Sequence, residues 1–489
     1  VTRRRSSVGP ILVLVAVAAV PAAALGGLWR WADARASVET VDPSAWVPEV
    51  APPTPAPPLA TPLASARRLP TLTARAVNLE TFRTDVVPLL DAVNDRSCVS
   101  VSVDGVEVGA RQDTLPVIPA SAQKLIVAAA ALEVLGPDFR YRTQVVGPDA
   151  VGGTVAGDLH LVGGGDPLLS GDWYATSNLE RYPVIDPTSL DTLADRVVAA
   201  GITRIEGGIV GDEGRYDTER FAPGWGAGVA GVEAGPYGAL MANDSRVLGA
   251  ELRADDPALA AAEEFTRMLV ERGVTVVGGP SVGAAPAGAE EIASIESVPM
   301  TDVIAEMLTN SDNNTAELLV KEIGLAASGA GTREAGLAAA AEVLAGWGLD
   351  LTGVVLSDGS GLSLDNRATC DVLLTIIERD GADGPITAGL PVAATSGTLS
   401  SIFEESPVAG RLRGKTGTLN NPPFNEDPPA VKALVGSLPV EGGGAVEYAL
   451  VLNGPTISDQ SEYRPVWDLL ATTLDTYPSG AGPDVLGPR

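Results

Sequence analysis

Ser121-Ala122-Gln123-Lys124-Leu125-Ile126-Val127-Ala128-Ala129-Ala130-Ala131-Leu132-Glu133-Val134-Leu135 is the stretch whose reading decides the fold. Val117-Ile118-Pro119-Ala120 precede it and Gly136-Pro137 close it. Proline before and Gly-Pro after are start and stop signals, so a helix is expected over Ser121–Leu135. Ala and Leu fill the interior, and both are strong helix formers. No polar residue interrupts Leu125–Leu132, and a helix apolar all round is a buried one. Its first turn nevertheless carries a hydroxyl and an amine three residues apart, on one face. Desolvation lowers a lysine pKa, and a neutral amine beside a serine can take its proton. The plain alternative is a core helix with a capping Ser and a Lys that reaches solvent. An isolated S-x-x-K occurs by chance, so the rest of the chain must decide.

The chain has 489 residues, 45% of them hydrophobic, enough for more than one domain. A net charge of -29 argues against a nucleic-acid partner. Only four of the 33 basic residues are lysines: Lys124, Lys321, Lys415 and Lys432. Ordinary surface charge is carried by Arg, so a Lys inside a motif has added weight. The single His160 sits in the alternating stretch Asp158–Val162 and reads as a strand-face residue. There is no H-E-x-x-H and no cysteine pair at zinc spacing, so neither a metal nor another cofactor is expected. A lysine-assisted serine mechanism fits this inventory better than a histidine-based one. Cys98 and Cys370 permit one disulfide in an exported chain, or else two buried thiols. Both flank segments expected near the core, and one disulfide is the expectation.

Arg3-Arg4-Arg5 precede an uncharged apolar run, Val8–Trp29. This reads as an export segment over residues 1–30, long enough to span a bilayer. A retained membrane anchor is favoured; cleavage at small-residue triplets stays open, so the product is membrane-anchored or secreted. Residues 31–72 form a linker, with nine prolines between 41 and 70, read as a semi-rigid spacer. Folded structure is expected from about Leu72, with a helix at Leu79–Val93. Cys98–Val103 and Val106–Arg111 alternate around Asp104-Gly105, a hairpin signal. After the central helix, a strand- and turn-rich region runs from about Phe139 to Ser297. It repeats a helix, glycine stop, strand pattern at Leu190–Gly208 and Glu263–Gly279, with a looser third case at Leu337–Val355. Helices are expected at Asp302–Leu308 and Ala316–Ile323. Between them lie six polar residues, Thr309–Asn314, as a loop or a cleft lining. Strands at Arg411–Thr418, Lys432–Pro439 and Val446–Asn453 precede a last helix, Gln460–Leu474. The Gly/Pro-rich end, 478–489, reads as a disordered tail.

Three motifs stand in order: Ser121-x-x-Lys124, Ser311-Asp312-Asn313 and Lys415-Thr416-Gly417-Thr418. Each has its expected context: helix start, inter-helix loop, strand. The set is that of serine β-lactamases and penicillin-binding proteins. The chain resembles the penicillin-binding protein 4 type of D-alanyl-D-alanine carboxypeptidase/endopeptidase, peptidase family S13, over roughly Thr73–Tyr477. Gly164-Gly165-Asp166-Pro167, Asp358-Gly359-Ser360-Gly361-Leu362-Ser363 with Asn366, and Ser396-Gly397-Thr398-Leu399 are similar to recurring stretches of that family. Ser311 lies 190 residues after Ser121 (311 minus 121), a spacing that family fills with inserted domains.

The resemblance implies an α/β fold. A β-lactamase/transpeptidase-like catalytic domain, with helices around an antiparallel sheet, would comprise 73–139 and 298–477. Residues 140–297 would be inserted strand-rich α+β domains. It implies that Ser121 forms an acyl-enzyme with D-Ala-D-Ala peptides and that Lys124 is the base. Ser311 would relay a proton, and Asn313 would hold Lys124 and the substrate amide. Lys415 would draw the terminal carboxylate, with Thr416 and Thr418 assisting. Gly417 would leave the strand bare for substrate backbone. The N–H groups of Ser121 and Thr418 would form the oxyanion hole. Asp358–Ser363 either flanks the cleft or is a plain glycine turn. Peptidoglycan stem peptides are the implied substrate and β-lactams the implied inhibitors. A polar, Pro-rich stretch after Leu419 (Asn420–Pro429) departs from the family and bears on substrate preference. The rival readings are a β-lactamase and an idle wall-binding scaffold; slow loss of bound β-lactam excludes the first, and peptide turnover the second.

Overall fold

The computed structural model describes residues 25–31 and 69–482, apart from 178, 180, 181, 183, 227, 421–428, 442 and 481. Two compact units divide at residue 65. Of the first, residues 25–31 form an exposed helix. The rest of the apolar run and nearly all of the proline spacer lie outside the described residues. No helix among the described residues is long and apolar enough to cross a membrane.

The second unit opens with helix α1 (Leu69–Ala92), ten residues earlier than its apolar pattern suggests. Ala74, Asn78, Phe82, Val86, Leu89 and Val93 recur at helical spacing and are all buried. Ala74 and Asn78 are too small or polar to stand out in sequence, which hides the first two turns. The hairpin follows as expected: β1 (Cys98–Val103) pairs with β2 (Val106–Arg111). Asp104 (φ 48°) and Gly105 (φ 71°) are both left-handed, the geometry of a tight hairpin turn.

Helix α2 (Lys124–Val134) is buried from Lys124 through Ala131, as its uniform apolarity requires. It begins three residues later than the sequence reading has it. Ser121 sits on a 3-10 turn, Ala120–Gln123, because Ala120 is held left-handed (φ 48°).

The chain then leaves this core and returns to the same point. Ser297 N donates to the Tyr141 carbonyl at 3.0 Å, and Tyr141 N donates to Ser297 Oγ at 3.0 Å. The first strand beyond, Arg142–Gly147, pairs antiparallel with the last, Glu290–Glu296. Both belong to a five-stranded mixed sheet, and a three-stranded parallel sheet is built from the chain between them. The region has its own core, including Leu159, Leu193, Ile209, Phe265 and Met268. The two clear helix-glycine-strand units stand side by side. Gly201 (φ 86°) and Gly273 (φ 85°) end the helices, and Arg204–Ile205 pairs parallel with Thr275–Val276. His160 lies on the strand Leu159–Val162 of the larger sheet.

Helices α3 (Met300–Thr309) and α4 (Asn313–Ser328) follow. The expected six-residue loop shrinks to Asn310, Ser311 and Asp312. Asp312 caps α4, its carboxylate accepting from Thr315 N at 2.6 Å, so the helix starts at once. Helix α5 (Arg333–Gly346) ends at Gly348 (φ 81°), but the third helix-strand unit is not completed: Val355 forms an isolated bridge with Arg367. Helix α6 (Cys370–Asp380) precedes three long strands, β3 (Arg413–Leu419), β4 (Ala430–Pro439) and β5 (Ala445–Gly454), and α7 (Gln460–Asp475).

The five labelled strands make one antiparallel sheet in the order β3-β4-β5-β1-β2. Period-two alternation splits its side chains between two cores. Val431, Ala433, Val435, Ala449 and Val451 pack with α2, α3, α4 and α6. Leu434, Leu438, Val446, Tyr448 and Leu450 pack under α1 and α7. Of the tail, residues 478–480 and 482 are described, and Gly480 N donates to Asn78 Oδ1 on α1.

Cys98 on β1 and Cys370 at the start of α6 are joined, with Cα atoms 5.9 Å apart, as the exported-chain reading expects. The bond staples the sheet to a helix on the α2 side. It closes a span of 272 residues, so it removes much freedom from the unfolded chain. A Cys98→Ala/Cys370→Ala variant is expected to lose about 2–5 kcal/mol in urea unfolding. An unchanged midpoint would show the bond to be idle.

Candidate active site

The 3-10 turn bearing Ser121 is wedged between two glycines. A Cβ on Gly361 (φ 84°) would lie 1.9 Å from the Ala120 carbonyl oxygen. A Cβ on Gly417 would lie 2.7 Å from the Pro119 carbonyl oxygen and 3.2 Å from Ala120 Cβ. The glycine of the third motif therefore lets β3 approach the turn. Sequence reading assigns its bareness to the substrate; the structure gives it to Pro119 and Ala120.

Lys124 is wholly buried, and its three protons match three acceptors. Nζ donates to Ser121 Oγ at 3.1 Å, Asn313 Oδ1 at 2.7 Å and the Ser360 carbonyl at 2.7 Å. Burial pushes its pKa down to about 8, against the pull of Asp312, Asp358 and Glu317. A substantial fraction of the amine is thus neutral near physiological pH, beside a serine hydroxyl.

The second motif divides its labour. Ser311, left-handed at φ 61°, accepts from Lys415 Nζ at 2.8 Å. Asp312 caps α4, and burial, with Asp244 nearby, raises its carboxyl to about 6. Asn313 accepts from Lys124, while its Nδ2 donates to the Glu233 carbonyl at 2.9 Å. Lys415 is buried too, and its other acceptor is the Thr416 carbonyl at 3.0 Å. Burial first, and the charge of Lys124 second, hold its pKa well below the ordinary lysine value. Thr416 Oγ1 donates to Thr398 Oγ1 at 2.7 Å. A cleft of ≈ 610 Å³ is lined by Ser121, Ser311, Asn313, Thr416, Thr418 and Lys432, among others. All eight residues singled out by sequence are thus brought to one place, with Lys124 and Lys415 behind its wall.

The Asp358–Ser363 stretch does more than flank. Asp358 Oδ1 accepts from Gly361 N at 2.8 Å and Asn366 Nδ2 at 2.7 Å; Oδ2 accepts from Ser363 N at 2.6 Å and Trp225 Nε1 at 2.8 Å. Glu317 on α4 accepts from Ser360 N at 2.7 Å and Gly359 N at 3.0 Å. Burial, then Asp358, raises the Glu317 carboxyl to about 7. These two acids hold the loop so that the Ser360 carbonyl meets Lys124. Sequence reading missed Glu317, Glu233 and Lys432, and placed Ser360 only within a stretch that flanks the cleft or makes a plain turn. Glu317 had a signal: with Lys321 and Glu322 it puts three charges in a helix that is otherwise apolar there. Glu233 and the Ser360 carbonyl act through backbone oxygens, which residue type does not reveal. The stretch 421–428 lies outside the described residues; Leu419 and Asn420 before it line the cleft.

A D-alanyl-D-alanine carboxypeptidase of Actinomadura sp. (strain R39) is 29% identical, over 84% of this chain and 87% of its own length. Carboxypeptidase DacB of Mycolicibacterium smegmatis is 30% identical, over 96% of this chain and 97% of its own. Penicillin binding protein 4 (dacB) of Haemophilus influenzae shares the fold, with a TM-score of 0.64 at 19% identity over 80% of this chain and 98% of that one. The family described as D-Ala-D-Ala carboxypeptidase 3 (S13) matches residues 88–247 and 237–474. The three motifs, the sheet between two helical layers and these matches together establish that the chain belongs to the D-Ala-D-Ala carboxypeptidase 3 (S13) family.

Proposed function

We propose that this S13 carboxypeptidase works through an acyl-enzyme on Ser121, cleaving D-alanyl-D-alanine bonds in peptidoglycan stem peptides. The observation that carries the reading is the buried Lys124 amine, lowered to about 8 and 3.1 Å from Ser121 Oγ. Neutral Lys124 takes the hydroxyl proton as Oγ attacks the carbonyl of the penultimate D-Ala. The N–H groups of Ser121 and Thr418 receive the oxyanion. The C–N bond then breaks, and the leaving amine gains a proton through Ser311, held by Lys415. Water hydrolyses the ester and restores Ser121. Asn313 orients Lys124. Thr416 and Thr418 offer hydroxyls to the substrate's terminal carboxylate, and Gly417 keeps their strand against the serine turn. A β-lactam enters the first half of this cycle and stays as the ester.

In this reading residues 73–139 and 298–477 form the catalytic domain and 140–297 an inserted one, which adds Leu168, Tyr174 and Arg253 to the far cleft wall. The catalytic part acts outside the cytoplasm, tethered by the N-terminal apolar run or released by its cleavage. Protease added to intact spheroplasts is expected to digest it; protection equal to a cytosolic marker's would contradict this. The activity itself is tested with two substrates, a diacyl-D-Ala-D-Ala peptide and a cross-linked muropeptide dimer. D-Ala from the first is carboxypeptidase action, and monomer from the second is endopeptidase action. Reaction with neither would overturn the reading.

A further inference from the structure

Neutral Lys124 has two N–H groups and one lone pair. Asn313 Oδ1 and the Ser360 carbonyl, each at 2.7 Å, take the two hydrogens, which leaves the lone pair for the Ser121 hydroxyl. This holds only while Asn313 turns its oxygen to the amine. With its amide turned over, Nδ2 would point a hydrogen at that lone pair and compete with Ser121. The two ends of a carboxamide are nearly equal in shape, so packing alone does not choose between them. The Glu233 carbonyl chooses. It can only accept, and Asn313 Nδ2 donates to it at 2.9 Å. Turned over, the amide would set oxygen against oxygen there.

The Glu233 carbonyl is itself held on both sides by one closed set of bonds. Before it, the Val232 carbonyl accepts from Arg253 Nη1 at 2.9 Å. After it, Gly235 N donates to Asn314 Oδ1 at 2.6 Å. Asn314 Nδ2 and Arg253 Nη2 then share one carboxylate, Asp244. The amide donates to Oδ1 and the guanidinium to Oδ2, the latter at 2.9 Å. Arg253 Nε adds a bond to the Asp244 carbonyl at 3.1 Å. Asp244 lies in the middle of three consecutive left-handed residues, Asn243 (φ 54°), Asp244 (φ 56°) and Ser245 (φ 63°). None is glycine, so this backbone is strained and must be held by its surroundings. Gly171 N donates to Asn243 Oδ1 at 2.7 Å, and Ser245 Oγ donates to the Pro236 carbonyl at 2.7 Å. Strain of this kind collects where a group has to be aimed. Here it aims the Asp244 carboxylate at the first turn of α4, where Asn313 stands.

We propose that Asp244 and Arg253 are positioning residues of the acylation step: through Asn314 and the Glu233 carbonyl they fix which end of the Asn313 amide faces Lys124. Neither gives or takes a proton in the step. Both belong to the stretch between residues 140 and 297, which thereby completes the base rather than only walling the cleft. The second hydrogen on Asn313 Nδ2 stays available to a substrate carbonyl. This inference rests on the reading of Lys124 as the base that acylates Ser121.

The test is rapid-mixing acylation of Ser121 by a fluorescent penicillin over a range of concentrations. It separates the acylation rate constant from the half-saturating concentration. Asp244→Ala and Arg253→Met should each lower the rate constant about 10- to 100-fold, the scale of a small misplacement, and move the half-saturating concentration much less. A further arm repeats Asp244→Ala in an Asn313→Ala protein. With the amide gone there is nothing left to position, so the two losses should not add. Arg253→Lys keeps its charge beside Asp244 but gives up the fork. It is the milder companion should a truncation fail to fold, and it should show the same split at smaller size. Thermal unfolding checks each variant. Unchanged rate constants in folded variants, or a full additional loss from Asp244→Ala in the Asn313→Ala protein, overturn the proposal alone. A wild-type protein with no acyl group on Ser121, or a Lys124→Met protein that acylates at the wild-type rate, overturns the reading beneath it, and this inference with it.

Discussion

Ser121→Ala is expected to abolish covalent labelling by a fluorescent penicillin while leaving the fold intact. The expectation follows from how little else the hydroxyl does. Its hydrogen bond is to Lys124 Nζ, and the lysine keeps Asn313 Oδ1 and the Ser360 carbonyl when Oγ is removed. The turn is held by Gly361, Gly417 and the Ala122-to-Pro119 hydrogen bond of 3.2 Å, none of which needs the side chain. Labelling should fall to background and the melting temperature should hold within a few degrees. Mass spectrometry of the wild-type adduct should find the acyl group on the peptide containing Ser121. Undiminished labelling of the variant would move the nucleophile elsewhere.

Lys124→Ala is expected to slow acylation by roughly 10²–10⁴-fold, the usual cost of losing a general base. The oxyanion donors and the cleft remain, so a residue of reactivity should persist. Truncation also leaves a buried gap and takes the donor from three acceptors, Ser121 Oγ, Asn313 Oδ1 and the Ser360 carbonyl. Lys124→Met, which fills the space, is therefore the companion variant, and both should show the same kinetic loss. The wild-type pH profile follows from the same amine. Its neutral form is the base, and its pKa is about 8. Acylation should rise with pH, about tenfold per unit below that value, and level off above it. The Lys124 variants should lose this limb. A wild-type rate that is flat from about pH 6 to 9 would mean that Lys124 is not the base.

Much of the molecule was legible because its signals are local. An apolar run closed by Gly-Pro reads as a buried helix, and the two later motifs decide between a reactive edge and a plain core helix. Asp104-Gly105 between alternating segments fixes a hairpin, because both residues tolerate the left-handed turn. The three motifs name the site residues, since lysines are few in this chain and two of the four fall inside motifs. What was hidden depends on the chain folding back. The Ser360 carbonyl meets Lys124 only because Asp358 and Glu317 aim its loop there. Gly417 is bare for the sake of Pro119, nearly 300 residues earlier (417 minus 119). Helix edges were misjudged where caps overrode composition, as at Asp312, or where small residues pack inward, as at Ala74. Lys432 lay in a strand pattern, and its place beside Thr418 becomes visible only once β3 and β4 are in register.

The contacts of α4 with the region between residues 140 and 297 tie the stability of that helix to residues far from the cleft. Lys321, with no exposed side-chain surface, donates to Asp217 and to the Glu219 carbonyl. Glu322, nearly as buried, holds Arg215 and Tyr216. Gly235 N donates to Asn314 Oδ1, next to the Asn313 that orients Lys124. Removing Asp217 or Arg215 alone, with the rest of the region in place, would leave an interior charge without its partner, at a cost of about 3–5 kcal/mol. Domains typically hold only about 5–15 kcal/mol in reserve. The helix that begins with Asn313 therefore depends for its stability on residues between 140 and 297, so a change there can weaken the site without touching the cleft.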